Sequence, residues 1–249
     1  MKLIKTLWAV TVSVAFASCQ KEYSPGDPGT TPTTSNKVKT YTEDVTSGGT
    51  HTVTTYDLTY DNANRIVSLI SETNPGDKFV FQYGNGSYTG DIYASNALSI
   101  HEVFFLNSNS FVDSTFQYND TNDSTTEKYI YNGAKQLVTL KEYDYSLLTG
   151  GGVLSNTTNY KYDSNGNQIS AIDDYSETLY DYTALANTLV IGAPYFGVNK
   201  NLVKTTTYSF SGTTTVLDHT YTFDASDRLS SEKATDNTGD IFIKTYTYY

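Results

Sequence analysis

A seven-residue pattern recurs along this chain and constrains its fold more than any other feature. It occurs three times, and a fourth copy reads as the same unit with one residue inserted; the copies are YDNANRI at Tyr60–Ile66, YNGAKQL at Tyr131–Leu137, FDASDRL at Phe223–Leu229 and YDSNGNQI at Tyr162–Ile169. In each copy an aromatic residue ends one run, a short polar segment follows, and an aliphatic residue opens the next run. Asn, Asp and Gly tolerate the positive φ of tight turns, so each copy predicts a β-hairpin.

Similar punctuation continues between the copies and predicts an all-β domain over residues 38–249. Turn signals such as Gly48-Gly49 and Ser211-Gly212 separate short runs rich in Thr, Tyr, Val and Ile, and no run has the period of a helix. We count about 14 to 16 strands. A sheet this wide accumulates twist, and open edges promote aggregation. We therefore expect a single antiparallel sheet curled into a half-barrel or a barrel-like shape.

The first 18 residues have the features of a secretory signal peptide. Lys2 and Lys5 precede an apolar run from Leu7 to Phe16, which is shorter than the ~20 residues of a membrane-spanning helix. The tetrapeptide that follows, Phe16-Ala17-Ser18-Cys19, resembles the lipobox of bacterial lipoproteins, although Leu is usual where Phe16 stands. The resemblance implies cleavage before Cys19 and lipidation of its thiol. Cys19 is the only cysteine, so it forms no internal disulfide.

Residues 19–37 are rich in Pro, Gly and Thr, and we expect them to form a flexible tether between the lipid and the domain. The tripeptide Gln20-Lys21-Glu22 resembles the short acidic export signals of surface lipoproteins in Bacteroidetes-type bacteria. We therefore expect a lipid-anchored protein of the cell outer membrane. The sequence is compatible with a location on the periplasmic side of this membrane and with a location on the cell surface.

The net charge of −11 limits the classes of partner. An acidic protein is repelled by nucleic acid phosphates and by anionic membranes. We expect no nucleic acid partner, and attachment to the membrane through the lipid on Cys19 alone.

The heptads resemble the YD repeats of the Rhs and teneurin class. Together with the signal, the lipobox and the tether, they also resemble the DUF4595 family of Bacteroidetes lipoproteins, over roughly residues 50–249. The segment GAPYFGVNKNLVK, residues 192–204, agrees with that family in its Gly and its Asn-Leu between strands. This resemblance implies a porin-like fold, and it carries over no known catalytic residue.

The polar residues do not form a recognisable catalytic or metal-binding motif. His51, His101 and His219 lie in three separate predicted strands, without the spacing of metal ligands. No G-x-S-x-G elbow is present. Residues 163–167 are better explained as a hairpin turn than as a calcium loop. We predict no enzymatic activity, no cofactor and no metal site.

These observations favour a non-catalytic binding or scaffolding module of the cell envelope, with a glycan or an envelope protein as partner. One alternative is a glycan-processing carboxylate enzyme that uses acids such as Asp173 and Asp174. Another is a membrane-embedded β-barrel, because the last strand ends in an aromatic residue. Lys141, on the same strand face as Tyr143 and Tyr145, argues against a wall embedded in the hydrocarbon core there, because a Lys near the bilayer midplane costs ~2–4 kcal/mol.

The segment Ile191–Asn201 is where the hairpin rhythm breaks. Pro194 and two glycines exclude an internal strand, yet the segment holds Tyr195 and Phe196. It either covers an end of the sheet as an apolar plug or presents Tyr195 and Phe196 as a binding patch. We favour the plug, because exposed aromatic clusters are unusual on soluble proteins.

Overall fold

The computed structural model describes residues 37–119, 124–146, 151–187, 189 and 199–249. Within these residues the protein is a closed barrel of sixteen antiparallel strands. Their bounds are β1 Val38–Ser47, β2 Thr50–Tyr60, β3 Ile66–Ser71, β4 Lys78–Tyr83, β5 Ser87–Ala94, β6 Ala97–Leu106, β7 Val112–Asn119, β8 Ser124–Tyr131, β9 Leu137–Ser146, β10 Gly151–Tyr162, β11 Gln168–Ile172, β12 Ser176–Ala186, β13 Asn201–Phe210, β14 Thr213–Phe223, β15 Leu229–Asp236 and β16 Ile241–Tyr248.

Each strand pairs with its neighbours in the chain, and β1 pairs with β16, with Tyr41 opposite Tyr246 and Glu43 opposite Lys244. The predicted all-β fold is confirmed. The sheet closes completely, because only closure removes both edges of so wide a sheet. In the described part of the chain, no helix is long and apolar enough to cross a membrane.

The hairpin loops of the heptads lie together at one end of the barrel, which we call the Asx end. In five loops the side-chain Oδ1 of the first residue accepts hydrogen bonds from the backbone N–H groups two and four residues later. The residue three positions later has a positive φ. The first residues of the five loops are Asp61, Asn107, Asn132, Asp163 and Asp224. This geometry explains why the heptad requires Asp or Asn after its aromatic residue.

Two details of the heptad interpretation change in the structure. The loop at Asn107 has the same geometry, but its sequence LNSNSFV lacks the Tyr-Asp pair and was not recognised. The copy at Tyr162 has no inserted residue, because Gln168 takes the place opposite Tyr162 that Ile66 takes opposite Tyr60. The predicted turn at residues 163–167 is confirmed.

Tyrosine hydroxyls form a repeated set of hydrogen bonds between strands at the Asx end. A Tyr near the end of an even-numbered strand donates to the carbonyl of the residue that opens the preceding odd-numbered strand, at 2.5 to 2.8 Å; the pairs are Tyr60 to Val38, Tyr83 to Ile66, Tyr131 to Val112, Tyr162 to Leu137, Tyr182 to Gln168 and Tyr248 to Leu229. Burial raises the pKa of four of these hydroxyls, so they remain donors; they belong to Tyr60, Tyr131, Tyr182 and Tyr162, and the pKa of Tyr162 is raised to about 12. The aromatic residue of the heptad therefore has a hydrogen-bonding role as well as an apolar one.

An apolar cluster fills the barrel at the same end. Its fully buried members include Val38, Leu58 and Leu229, and Leu189 from the β12–β13 connection packs against it. Burial of such side chains contributes about 1.5–3 kcal/mol each. The Asx end is therefore the packed end of the barrel, and we call the opposite end the mouth.

Candidate functional site

The sequence-predicted site residues lie outside the described part of the chain. Cys19, Tyr195 and Phe196 are among them, so lipidation and the choice between plug and patch stay predictions. The described flanks of the segment are tied to the Asx end. Buried Asn167 donates to Asn201 Oδ1 at 3.0 Å and accepts from the backbone N–H groups of Lys200 and Asn201. The Asn-Leu pair at 201–202 thus has a structural role, because Leu202 is also buried in the core.

Aromatic rings stand exposed at the mouth, between β12 and β14. Tyr208 and Phe210 lie on the lumen-facing side of β13, with ring centroids 6.5 Å apart and planes 4° apart. Their residues are 40 % and 48 % exposed, and Tyr175 in the β11–β12 turn is 66 % exposed. Asp173 accepts from the N–H groups of Tyr175 and Ser176 at 2.7 and 2.6 Å, which fixes this turn.

A shallow, open depression of about 370 Å³ lies at this rim, and its border includes Asp173, Tyr175, Glu177 and Phe210. The border combines aromatic rings with polar groups, as small-molecule sites in proteins do. A flat sugar or peptide group has space here to stack on an aromatic ring and to hydrogen-bond with a carboxylate.

A hydrogen-bonded relay of Thr206, His219 and Glu232 lines the lumen below these rings. His219 Nδ1 is 2.8 Å from Glu232 Oε1, and His219 Nε2 is 3.0 Å from Thr206 Oγ1. An ionised carboxylate only accepts, so Nδ1 donates to Glu232, and in the neutral imidazole Nε2 accepts from Thr206. The side chains of His219 and Glu232 are 12 % and 19 % exposed.

The charge of Glu232 is stabilised by its neighbours. Burial acts to raise its pKa, but the hydrogen bond from His219, the Lys244 ammonium and the Tyr221 hydroxyl together hold the pKa below its usual value. Glu232 is therefore ionised at neutral pH and orients the imidazole. Thr206 lies four residues from Phe210 on the same side of β13, about 13 Å along the strand. The relay and the aromatic rings can contact one extended ligand.

Carboxylates line the opposite part of the lumen. Glu127 accepts from Thr115 Oγ1 at 3.2 Å and from the Tyr129 hydroxyl, and it faces Glu142 across the β8–β9 pair. Burial, with repulsion from Glu127, raises the pKa of Glu102 to about 8 despite a hydrogen bond with Thr115. Burial also raises the pKa of Glu127. Glu102 is consequently mostly protonated at neutral pH.

The sequence contained a signal for the relay that we did not use. His219 and Glu232 flank the loop at Asp224, and the register of every such hairpin is set by its five-residue loop. That register pairs Tyr221 with Glu232 and His219 with Ala234, so His219 and Glu232 share the inner side. The expectation that Asp218 and His219 face opposite sides is confirmed, because Asp218 contacts Thr205 instead. Among the described residues, no cluster of His, Cys, Asp and Glu could hold a metal ion.

The outer wall is polar on many strands. Hydroxyl and charged pairs cross between neighbouring strands on this side, as in Thr40 with Thr247 at 2.6 Å, Asp44 with His51 at 2.8 Å and Thr59 with Ser68 at 2.7 Å. The outer side of a membrane-embedded barrel is instead an apolar band about 25 Å tall.

Comparisons with known proteins identify the fold. The sequence matches no family model and no curated protein. The crystal structure of a porin-like protein from Bacteroides uniformis is similar, with a TM-score of 0.60 and 12 % identity, covering 86 % of this chain and 98 % of that chain. A porin-like protein from Bacteroides vulgatus has a TM-score of 0.38 at 12 % identity, covering 85 % of this chain and 98 % of that one. The chain thus has the barrel fold of the Bacteroides uniformis porin-like protein.

Proposed function

We propose that this protein is a non-catalytic binding module of the bacterial cell envelope, attached to the outer membrane through a lipid on Cys19. It takes a hydroxyl-rich ligand, a glycan in the first place, at the mouth of the barrel. The observation that carries the proposal is the exposed pair of parallel rings, Tyr208 and Phe210, directly above the Thr206–His219–Glu232 relay. Ring faces stack on sugar rings, and the relay offers hydrogen-bonding groups to sugar hydroxyls.

The polar outer wall supports attachment by a lipid rather than insertion of the barrel. Rows such as Thr40, Thr42, Asp44 and Thr46 on β1 would leave hydroxyls and a carboxylate in hydrocarbon. The similarity to a porin-like protein supports the barrel fold. Whether the barrel is embedded in the membrane is tested by the fractionation experiment below.

The binding experiment uses titration calorimetry with a panel of envelope and dietary oligosaccharides. The variant Tyr208→Ala/Phe210→Ala is expected to lose roughly tenfold or more in affinity for a bound glycan, because each lost ring contact contributes about 0.5–1.5 kcal/mol. Phe105→Ala is the matched control, since Phe105 is 46 % exposed and faces outward on β6. Equal affinity of the wild type and the mouth variant would place the ligand elsewhere.

The anchor is tested separately by cell fractionation of Cys19→Ser. We expect the variant to leave the membrane fraction and to lack the mass of the lipid. Retention of Cys19→Ser in the membrane at the wild-type mass contradicts the anchor and favours the embedded barrel.

One observation favours a second function, a glycan-processing enzyme. Glu127 and Glu142 are direct partners in the β8–β9 register and both face the lumen, so two carboxyl groups are neighbours there, and glycosidases use a pair of carboxyl groups. Turnover of an oligosaccharide that is abolished by both Glu127→Gln and Glu142→Gln, and retained in Tyr208→Ala/Phe210→Ala, would establish this function in place of simple binding.

A further inference from the structure

The outer wall of β6 to β10 carries aromatic residues in adjacent rows. The first row runs across the register as Val103, Phe116, Thr126, Tyr143 and Leu154. The next row towards the mouth is His101, Tyr118, Ser124, Tyr145 and Gly152. Tyr118, Tyr145 and Leu154 are 52 %, 40 % and 49 % exposed. We call Phe116, Tyr118, Tyr143, Tyr145 and Leu154 the outer aromatic patch.

The ring of Tyr145 lies flat across the sheet. A Cβ atom at Gly152 would be 2.4 Å from Tyr145 Cζ, so only glycine leaves room for this ring position. The patch thus presents a broad aromatic face rather than scattered side-chain tips. A face of this kind on a soluble protein marks an interaction site.

Lysines border the patch on the side of the Asx end. Lys128 and Lys141 are direct partners in the β8–β9 register, and Lys128 Nζ is 5.7 Å from the centroid of the Tyr143 ring. Like charges directly opposite each other on a sheet are destabilising. Within the described ranges, neither lysine forms an ion pair that would offset this repulsion. Lys161 follows on the outer side of β10.

The acids of the same strands point the other way. Glu102, Glu127 and Glu142 line the lumen. Asp113 is the acid nearest to the lysine pair, because it is the bulged residue before Ser114, and Ser114 is the register partner of Lys128. The outer sides of β8, β9 and β10 therefore carry Lys128, Lys141 and Lys161 in a protein of net charge −11. Asp91 on β5 is an outward acid beside the patch, and it pairs with His101 at 2.5 Å. Other outward acids stand on β1, β12 and β14; they are Asp44, Asp181 and Asp218.

We propose that the wall of β6 to β10 is a membrane-contact surface that rests on the headgroups of an anionic lipid bilayer. Tyrosine rings favour the boundary between headgroups and acyl chains, and Lys128 with Lys141 meets the lipid phosphates. The negative net charge of the protein repels an anionic bilayer, but salt screens interactions between charges that lie more than about 8–10 Å apart. Close to the bilayer, the attraction of the lysine pair therefore outweighs the repulsion from distant acids. This contact is separate from the lipid on Cys19, and the 17 residues between Cys19 and Lys37 span at most about 60 Å, which is long enough to permit it.

The test is co-sedimentation of the full chain carrying Cys19→Ser with vesicles of phosphatidylglycerol and phosphatidylcholine in equal parts, and with phosphatidylcholine alone. Lys128→Gln/Lys141→Gln is expected to bind the anionic vesicles about thirtyfold more weakly, since each surface lysine contributes about 1 kcal/mol. Lys204→Gln/Lys233→Gln is the matched control on β13 and β15 and should bind as the parent does. All of these chains share residues 1–18, so any vesicle binding by that segment cancels in the comparison.

A second variant separates the rings from the charge. Tyr143→Ser/Tyr145→Ser should reduce binding to both kinds of vesicle, while circular dichroism shows the barrel intact. Equal binding by the parent and the lysine-pair variant overturns the proposal. So does a dimer, detected by sedimentation velocity without vesicles, that both patch variants abolish, because the wall would then be an interface between two copies.

Discussion

The two ends of this barrel are built by different rules. At the Asx end, five loops share one geometry, and six tyrosines repeat one contact with the opening residue of a strand. At the mouth the connections differ in length and type. Gly48-Gly49, Ser95-Asn96 and Ser211-Gly212 are two-residue turns with positive φ at both positions, whereas residues 72–77 form a longer loop. Among the described loops of the mouth, the Asx geometry occurs once, at Asp236, whose Oδ1 accepts from the backbone N–H groups two and four residues later.

The comparison shows where repetition serves stability and where variation leaves space for binding. The repeated Asp or Asn and the repeated Tyr satisfy backbone groups at the packed end, so that end can be copied around the barrel. At the mouth one described loop, at Asp236, has this geometry, and the rim carries the exposed rings of Tyr175, Tyr208 and Phe210. Loops on a rigid scaffold are where binding residues concentrate.

The largest expected effect comes from one substitution made at both ends. Leu229→Ala removes a residue that is 1 % exposed in the apolar cluster, and we expect it to lower the free energy of unfolding by about 2–5 kcal/mol. Leu98→Ala, at a leucine that is 50 % exposed near the mouth, should cost less than about 1 kcal/mol. Urea denaturation measures both. Similar losses would show that the mouth is packed as tightly as the Asx end.

The wall between the ends should be sensitive to pH through Glu102. Burial raises the pKa of Glu102 to about 8 in the folded barrel, from an ordinary value of 4.5 in the unfolded chain. Between pH 4.5 and pH 8 the folded protein therefore holds a proton that the unfolded chain has released. Stability therefore falls as the pH rises through this window, by on the order of 2 kcal/mol. Glu102→Gln should flatten the pH dependence of the unfolding midpoint, while exposed Glu72→Gln should not. Parallel pH profiles for the wild type and Glu102→Gln would be inconsistent with this assignment.

A smaller effect should follow from removing one tyrosine hydroxyl. Tyr131→Phe deletes the 2.8 Å hydrogen bond to the carbonyl of Val112 and is expected to cost about 1 kcal/mol. Tyr208→Phe makes the same change at the mouth and should leave stability within about 0.5 kcal/mol. Chemical denaturation of the two variants compares the ends directly. A greater loss in Tyr208→Phe would reverse the difference.

The smallest effect on stability is expected at the rim. Tyr175→Ala changes a residue that is 66 % exposed, and the free energy of unfolding should stay within about 0.5 kcal/mol of the wild type. Under the proposed function, its affinity for a glycan should fall nonetheless. A variant that loses stability instead would show that Tyr175 supports the turn at residues 173–175.

Local sequence determined the hairpins, because their chemistry is local. Asp61 accepts from backbone groups two and four residues away, and the positive φ of Asn64 lies inside the same loop. Such contacts depend on four or five neighbouring residues, so the turns, the all-β class and the approximate number of strands were predictable. The ends of the strands were less predictable. β11 ends at Ile172, because Asp173 caps the turn that follows with its own side chain.

Only the tertiary structure decided closure and the location of the candidate site. Tyr41 and Tyr246 are 205 residues apart in the chain, and no local pattern pairs β1 with β16. Thr206, His219 and Glu232 come from three strands, so their contact depends on two loops and on the direction of the twist. Alternation alone indicates that neighbouring side chains face opposite sides, and only the closed barrel decides which side is the lumen. For that reason Glu102 faces the lumen, whereas Lys128 and Lys141 remain outside.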